Sequence, residues 1–387
     1  MARKKIVIIA FMSETTIDLE RQKEAKVYAR IRRRLMVVDL AVTGLYAIAW
    51  LVFGWAAALK DTLLNYTSNG WLLVAGFAVL FGGLLSLIGL PLSYYEGFIL
   101  PHRFGLSNQT LKGWIGDQIK NGLIGGVLGL LILEIIYAVL RVAPDIWWLL
   151  AGGILLLFSV VLANLAPILL FPIFYKFIPL EDEYAGLKER LIRLAERAGT
   201  QVRGVYKFDM SRRTKAANAA LTGLGNTRRI ILGDTLLDEF TEDEIETVLA
   251  HELGHHVNKD IPLSILVQSV VTLGGLYLAH LVLRWGVGYF GFEGVWDIAA
   301  LPLFMLAIGL FGLVTMPLSN AFSRWRERLA DRYALQATGK GQAFASALAR
   351  LANQNLADAD PEPWVEWLLY SHPALGKRIA MARAENE

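Results

Sequence analysis

Three of the chain's six histidines lie within six positions, in the stretch VLAHELGHHV at residues 248–257. His251 and His255 are four residues apart, so on a helix they project from one face, about one turn apart, as two ligands of one metal ion do. Glu252 points to the adjacent side, from which a glutamate in a zinc hydrolase takes a proton from metal-activated water. The spacing therefore predicts a zinc centre with Glu252 as general base. An ordinary solvated helix is the alternative.

A third protein ligand is needed, because catalytic zinc usually has three protein ligands and keeps one position for water. The chain has no cysteine, which leaves histidine and carboxylate as ligands. Glu327 and Asp331 are four residues apart in NAFSRWRERLADRYA, residues 320–334, which is a good helix former. One of the two can bind the metal while the other accepts a hydrogen bond from a ligand histidine and fixes its tautomer. A solvated face of ion pairs with the neighbouring arginines is the alternative.

The composition is that of a membrane protein, since 55% of the 387 residues are hydrophobic and only 19% are charged. A net charge of +3 is too small to indicate a nucleic-acid partner. Six apolar runs are long enough to cross a bilayer. They are Leu40–Leu59, Trp71–Leu92, Leu123–Leu140, Ile146–Phe174, Ile265–Leu283 and Ile298–Leu318. We therefore expect two helical hairpins, a polar block and a third hairpin.

The distribution of lysine and arginine predicts the orientation, because cytoplasmic flanks retain these residues. Seven basic residues lie between positions 21 and 34, before the first run, whereas the loops at 60–70, 141–145 and 287–297 hold almost none. The N-terminus and the polar block are therefore expected on the cytoplasmic side. Five tryptophans beside the outer loops are expected to form an interfacial belt: Trp71, Trp147, Trp148, Trp285 and Trp296.

These spans divide the chain into five segments. The predicted segments are a cytoplasmic N-terminal arm (1–39), four transmembrane helices with their loops (40–175), a cytoplasmic protease segment carrying HExxH (176–262), a transmembrane hairpin (263–320) and a cytoplasmic segment that completes the zinc site (321–387). The second and last of the cytoplasmic segments are joined by one hairpin, so that Glu327 returns to the side that holds His251.

The polar block shows helix and strand signals. A helix is expected over about Tyr184–Ala198 and a strand near Val202–Met210. Asn218–Leu224 and Arg228–Leu232 then predict a hairpin that turns at Gly225–Asn226. The helix that carries the histidines is expected to begin at Thr241, whose hydroxyl can cap it while Glu244 reaches back.

Several segments together resemble one family. AHELGHH, a following membrane hairpin and SRWRERLADRYA are similar to segments of the integral-membrane zinc metallopeptidases of the type I CAAX prenyl endoprotease family. Four other segments are also similar to that family: YYEGFILPHRFGLSNQTLKGW (94–114), FPIFYKFIPLED (171–182), ANAALTGLGNTRRIILGDTLL (217–237) and HPALGKRI (372–379). The chain departs from eukaryotic members in having six expected spans where they have seven.

The resemblance implies a mostly α fold, a polytopic α-helical membrane protein with a cytoplasmic gluzincin-like α+β zinc protease domain. Position by position, it implies one zinc ion held by His251, His255 and Glu327, Glu252 as catalytic base and Asp331 as the carboxylate that supports a ligand histidine. His372 and Arg378 would face the site as donors to the oxyanion, although His-Pro is also an ordinary helix start. Asn218 and Ala219 would lie on an edge strand that pairs with substrate, and a simple core hairpin is the alternative.

The implied activity is endopeptidase cleavage near the C-terminus of membrane-associated proteins or peptides, including prenylated CAAX-type ones, by water that zinc and Glu252 activate. The implied partners are a peptide or protein substrate, lipid-modified or not, and membrane lipids. A membrane quality-control metalloprotease is the alternative function, and a non-catalytic transporter or scaffold is a third. Polar residues within the runs, Glu134, Asn164, Gln268 and His280, are expected to face the bundle interior or a wet cavity.

Overall fold

The computed structural model describes residues 16–223 and 228–385 and is mostly helical. Helices α1 to α15 are Leu19–Val52, Trp55–Leu64, Gly70–Tyr94, Leu100–Arg103, Leu111–Val142, Trp147–Leu165, Phe171–Phe174, Ala185–Arg197, Asp234–Glu239, Glu242–Val257, Asp260–Phe290, Leu301–Thr338, Gly341–Gln354, Pro363–Leu369 and Leu375–Ala384. Strands β1 to β4 are Phe177–Pro179, Val205–Phe208, Ala219–Thr222 and Arg229–Gly233. The predicted turn at Gly225–Asn226 and the first 15 residues of the N-terminal arm lie outside the described residues.

Six helical stretches of the described chain are long and apolar enough to cross a membrane, which confirms the predicted number. They are Leu19–Val52, Gly70–Arg103, Leu111–Val142, Trp147–Leu165, Asp260–Phe290 and Ile298–Thr338. The chain is therefore a multi-pass integral membrane protein with a small α+β part.

The helices do not share the limits of the predicted apolar runs, and the first and last runs show this most clearly. The first run does not form one helix, because α1 ends before Gly54, whose φ of +68° is left-handed, and α2 begins at Trp55. The helix that contains the last span does not end where its apolar run ends, near Leu318. Instead α12 continues without a break from the membrane run through Glu327 to Thr338, so one rigid helix joins the bundle to the metal motif.

The tryptophan belt is predicted wrongly at one position. Trp147 has 0% exposure and donates a hydrogen bond from Nε1 to Nδ1 of His280 at 3.1 Å, inside the bundle. Trp71 and Trp285 are more than half exposed, as expected of interfacial residues. An indole and an imidazole that satisfy each other can be buried at lower cost than either alone, which explains why this tryptophan points inward.

The sheet has the strand order β1-β2-β4-β3. β2 and β4 are parallel, β1 pairs with β2 antiparallel, and β3 pairs with β4 antiparallel in the predicted hairpin, with Ala219 opposite Leu232. β3 is therefore an edge strand. The helix predicted over Tyr184–Ala198 is α8, and the strand predicted near Val202–Met210 is β2.

Two large hydrophobic cores form in the described part of the chain. One packs α8, the sheet, α10, α13 and α15 around fully buried side chains such as Leu191, Leu232 and Leu249. The other lies inside the helical bundle and is rich in aromatic residues, including Phe77 and Trp147. The beginning of α12 belongs to the bundle core and its end to the other core. This helix therefore fixes the position of one core relative to the other.

Candidate metal centre

Helix α10 presents the HExxH residues and begins as the sequence predicts. The side chain of Thr241 accepts from the backbone N–H of Glu244, and the Glu244 carboxylate accepts from the backbone N–H of Thr241, which completes the capping box. Gly254 lies against α12, where an added Cβ would come within 2.8 Å of the Cα atom of Ala330. The glycine is thus required for α10 to approach the helix that carries Glu327.

Three side chains converge where these two helices meet. The Nε2 atoms of His251 and His255 are 3.2 Å apart. The carboxylate of Glu327 lies 3.3 Å from Nε2 of His251 through Oε2 and 3.5 Å from Nε2 of His255 through Oε1. The three possible ligand atoms all lie within 4.8 Å of one another. The helical spacing and the returning hairpin therefore bring together the three residues predicted from the sequence.

His251 contacts Asp331, the residue predicted to orient it. The distance from Nδ1 of His251 to Oδ1 of Asp331 is 2.8 Å, so a proton on Nδ1 leaves Nε2 free for a metal. Asp331 has 0% exposure and is held in turn by Arg378, which donates from Nε to Oδ2 at 2.8 Å and from Nη2 to Oδ1 at 2.6 Å. The chain Arg378–Asp331–His251 joins α15, α12 and α10.

His255 is oriented by residues that the sequence interpretation missed. Its Nδ1 lies 2.7 Å from Oδ2 of Asp260, and Arg326 donates from Nε to Oδ1 of the same carboxylate at 2.6 Å. On a continuous helix the side chain of residue 260 would not reach that of His255. Lys259 has φ +55°, a left-handed conformation that ends α10 and turns the next helix so that Asp260 faces back.

The acidic pair Glu327 and Asp331 is buried and does not lie on a solvated face, although Arg328 and Arg332 on the same helix are exposed. Arg324 and Arg326 are only 8% and 7% exposed, and Arg326 also donates from Nη2 to the carbonyl of Asn258 at 2.6 Å. The alternative of a solvated ion-pair face for this part of α12 is therefore wrong. The signals that the sequence offers for Asp260 and Arg326 are an aspartate five residues after a ligand histidine and an arginine directly before the third ligand.

The cluster fits a metal cation. Oε2 of Glu327 is buried and has no hydrogen-bond partner among the described residues, although Nε2 of His251 lies 3.3 Å away. Burial lowers the pKa of His251, but the carboxylates of Asp331 and Glu327 more than offset this and raise it to about 9. The site thus stabilises positive charge. Two imidazoles and one carboxylate that gather around such a position are a ligand set of zinc hydrolases.

Glu252 lies beside the cluster on the same helix and is partly buried. Burial raises the pKa of its carboxyl above the ordinary value, while the nearby His251 and His255 act in the opposite direction. His372 and Arg378 also reach the cluster. Nε2 of the exposed His372 is 3.2 Å from Oε1 of Glu327, and Nη1 of Arg378 is 3.9 Å from its Oε2.

Comparisons with known families agree with this geometry. Residues 181–386, more than half of the chain, match the model of peptidase family M48. The chain belongs to peptidase family M48. The preceding residues 9–176 match a model described as CAAX prenyl protease N-terminal, five membrane helices. The structure gives four membrane-length stretches over residues 16–176 of this M48 chain, because the ten residues of α2 span only about 15 Å.

The M48 chain is similar to proteins of bacteria and fungi. It is 29% identical to the uncharacterized metalloprotease YhfN of Bacillus subtilis, over 93% of this chain and 85% of that protein. It is 32% identical to CAAX prenyl protease 1 of Saccharomyces cerevisiae, over 78% of this chain and 70% of that protein. The crystal structure of S. mikatae Ste24p superimposes with a TM-score of 0.84 at 26% identity, covering 96% of this chain and 91% of that one. The protein is therefore a membrane metallopeptidase.

Two further features of this peptidase lie close to the metal centre. Edge strand β3, with Ala219 at its start, packs against α10. A cavity of about 260 Å³ opens between α11 and α12. Its lining includes His255, Glu327 and the intramembrane residue Gln268. Gln268 thus faces a cavity, whereas His280 hydrogen bonds to Trp147, and the buried Oε2 of Glu134 has no partner among the described residues.

Proposed function

We propose that this metallopeptidase is a zinc-dependent endopeptidase that hydrolyses peptide bonds near the C-terminus of membrane-associated proteins or peptides, including prenylated CAAX-type substrates. The observation that carries the proposal is the convergence of His251, His255 and Glu327 beside Glu252. The names of the fungal relatives, CAAX prenyl protease 1, support this substrate class. The two-histidine, one-glutamate ligand set supports zinc, because hydrolytic zinc sites use it and leave one position open.

In the proposed reaction, different residues bind zinc, accept the water proton and stabilise the oxyanion. A zinc ion held by His251, His255 and Glu327 supplies Lewis acidity, which makes water nucleophilic near neutral pH and polarises a carbonyl group. We assign Glu252 the role of general base, which accepts the water proton on its carboxylate and returns it to the leaving amine. We assign Nε2 of His372 the role of donor to the substrate carbonyl oxygen as negative charge develops on it.

Arg378 and Asp331 act mainly through His251 in this proposal. The Arg378 guanidinium makes two hydrogen bonds to Asp331, which holds the ring of His251 in the orientation that a ligand needs. Its remaining nitrogen, Nη1, is a second candidate donor to the substrate oxygen because it lies 3.9 Å from Oε2 of Glu327.

We also propose that the N-terminus and the active site lie on the cytoplasmic side, since the basic residues cluster on that side of the spans. The chain has no cysteine, so Glu239→Cys gives a single thiol. In sealed right-side-out vesicles a membrane-impermeant maleimide should label this thiol only after the membrane is ruptured. Labelling of intact vesicles would contradict the orientation.

The first test of the function is cleavage of a fluorogenic C-terminal peptide with and without a farnesyl group. Glu252→Gln keeps the shape of the side chain but cannot accept the proton, so turnover should fall by about 10²–10⁴-fold while zinc stays bound. Glu242→Gln, in the first turn of the same helix, is the matched control and should leave turnover unchanged. Activity of a zinc-replete Glu252→Gln sample equal to that of the unaltered protein would contradict the proposed base.

The two peptides separate the candidate functions. Cleavage that needs both Glu252 and the farnesyl group supports a CAAX-type endopeptidase. Equal cleavage of both peptides keeps the zinc endopeptidase and removes the lipid requirement, which favours membrane quality control. An unaltered protein that binds zinc and cleaves neither peptide would favour a non-catalytic scaffold.

Substrate is proposed to bind as an added strand along β3, near Asn218 and Ala219. The N–H of Gly233 donates to the carbonyl of Asn218 at 2.9 Å, so in an antiparallel ladder the N–H and C=O of Ala219 point away from β4. Two residues earlier, at the preceding outward-facing position, the N–H of Ala217 donates to Oδ1 of Asn355 at 3.0 Å. The free part of the edge thus begins at Ala219, where main-chain pairing gives affinity without demanding particular side chains.

Proline substitutions test this pairing. Ala219→Pro removes only the outward donor, so KM should rise strongly while the thermal midpoint changes little. Ala220→Pro is the matched control, because the N–H of Ala220 faces β4 and its loss should lower the thermal midpoint. Unchanged kinetics of Ala219→Pro would exclude substrate pairing at this position.

A further inference from the structure

The short helix α14 turns an aromatic face outward. Val365 and Glu366 are buried, whereas Trp364 and Trp367, three residues apart and on one face, are 60% and 59% exposed. Two large aromatic side chains rarely remain in water on a polar part of a protein. Tryptophan does favour one environment of mixed polarity, the headgroup region of a bilayer, where its ring is buried and its N–H finds a partner.

The C-terminal end of α14 lies at the depth of the membrane surface. Nδ2 of Asn320 donates to the carbonyl of Leu368 at 2.7 Å. Asn320 follows Leu318, the exposed last residue of the apolar run of α12, by two residues, which is about 3 Å along the helix axis. Arg324, one turn further along, donates to the carbonyls of Glu366 at 2.9 Å and Tyr370 at 2.5 Å.

The N-terminal end of α14 lies at a similar depth on another span. Glu362, the residue before α14, is 3.6 Å from Nη2 of Arg33 on α1. On α1 the closely spaced exposed apolar side chains Met36, Val37, Val38 and Leu40 begin three residues after Arg33, or about 4.5 Å along the axis. Both ends of α14 are therefore one turn or less from the apolar surface of a span, so the helix runs along the membrane surface.

We propose that α14 is an interfacial helix whose Trp364 and Trp367 insert into the headgroup region of the bilayer. In this placement the two indoles lie near the depth at which the exposed apolar residues of α1 and α12 meet the polar part of the protein. Arg328, which is exposed, lines the same groove as Trp367 and suits the phosphate groups found at this depth. His372 follows Trp367 by five residues, so the contact holds the mouth of the metal site at the membrane surface. The proposal does not depend on which substrate is cleaved.

Spin labels measure this directly, because the chain has no cysteine to remove. Trp364→Cys and Trp367→Cys are labelled with a nitroxide and reconstituted into vesicles of phosphatidylcholine and phosphatidylglycerol. Power saturation then compares accessibility to oxygen, which concentrates in lipid, with accessibility to a water-soluble nickel chelate. Leu310→Cys, on the exposed apolar face of α12, is the lipid control, and Arg197→Cys, at the exposed end of α8, is the water control.

The expected oxygen-to-nickel accessibility ratio at residues 364 and 367 is several-fold above that of residue 197 and below that of residue 310. A ratio equal to that of residue 197 would overturn the proposal, because the helix would then lie in water. A label that is immobilised but inaccessible to both reagents would also overturn it and indicate a protein partner. The accessibility ratio at either residue alone tests the proposal, so one correctly folded variant is sufficient.

Discussion

Each of the two histidines of the metal centre contacts an aspartate that is bound by an arginine, and we call each aspartate–arginine pair the support of its histidine. The two supports have similar distances but different surroundings. Each Nδ1 faces an aspartate at 2.7–2.8 Å, and each aspartate is bound by an arginine. Asp331 lies on the same helix as Glu327 and is fully buried. Its two carboxylate oxygens each accept a hydrogen bond from the Arg378 guanidinium. Asp260 begins the next helix, offers one oxygen to His255 and the other to Arg326, and lines the cavity between α11 and α12.

The difference concerns what each support connects. The His251 support joins α10 to the C-terminal helix, and Arg378 also lies 3.4 Å from Nδ1 of His251 and 3.9 Å from Oε2 of Glu327, both within the metal centre. The His255 support joins α10 to the membrane hairpin, and Arg326 also binds the carbonyl of Asn258 and stacks on Trp325 at 4.8 Å. The further contacts of Arg378 are thus to side chains of the metal centre, whereas those of Arg326 are to a backbone carbonyl and an aromatic ring outside it.

Asp331→Ala should have the largest effect, because it leaves the buried Arg378 without its carboxylate. We expect a loss of about 3–5 kcal/mol in the free energy of unfolding and a roughly 10–100-fold loss of metal affinity. Denaturant unfolding in detergent and competition with a chelator measure the two quantities.

Asp260→Ala is the matched comparison to Asp331→Ala. Arg326 keeps its bond to the Asn258 carbonyl, so the stability loss should be only about 1–3 kcal/mol, with a similar 10–100-fold loss of metal affinity. Equal stability losses for the two variants would show that the supports are energetically equivalent and would remove the distinction drawn from their partners.

Gly254→Ala should disturb both supports together. The added methyl group would meet the backbone of Ala330 at 2.8–3.0 Å, which forces α10 away from α12. We expect a loss of about 1–3 kcal/mol in stability and weaker metal binding, measured by unfolding and by metal content after dialysis. Gly288→Ala, at a helical glycine where an added Cβ meets nothing within 4 Å, is the control and should leave both quantities unchanged. Full metal content in the Gly254 variant would mean that the helix contact does not set the ligand spacing.

Replacing the arginine of each support by lysine should have the smallest effect on stability. The two replacements should also differ from each other. Arg378 binds both oxygens of Asp331, and a lysine ammonium cannot reproduce that fork, so Arg378→Lys should cost about 1 kcal/mol. Arg326 donates from both Nε and Nη2 to the same oxygen of Asp260, a single position that a point charge can serve, so the loss at this carboxylate in Arg326→Lys should be smaller. Thermal midpoints of the two variants measure the difference, and a larger cost at Arg326 would reverse the comparison.

The sequence by itself determined those features that depend on local regularity. The period of the helix places His251 and His255 on one face, and Thr241 and Glu244 cap that helix. The number of spans can be predicted from the apolar runs because the thickness of a bilayer sets their minimum length. Asp331 could be predicted because it lies one helical turn from Glu327 on the same helix.

Only the tertiary structure decided the remaining features. The support of His255 depends on a left-handed Lys259 and on a helix that returns from the membrane. Trp147 points inward because His280, from another span, accepts its hydrogen bond. The exposed aromatic face of α14 indicates a membrane contact only because Asn320 and Arg33 hold this helix near the ends of two spans. These features arise from contacts between residues far apart in the chain. Local propensity and hydropathy carry no information about such contacts, because the same side chain can be buried or exposed according to what packs against it.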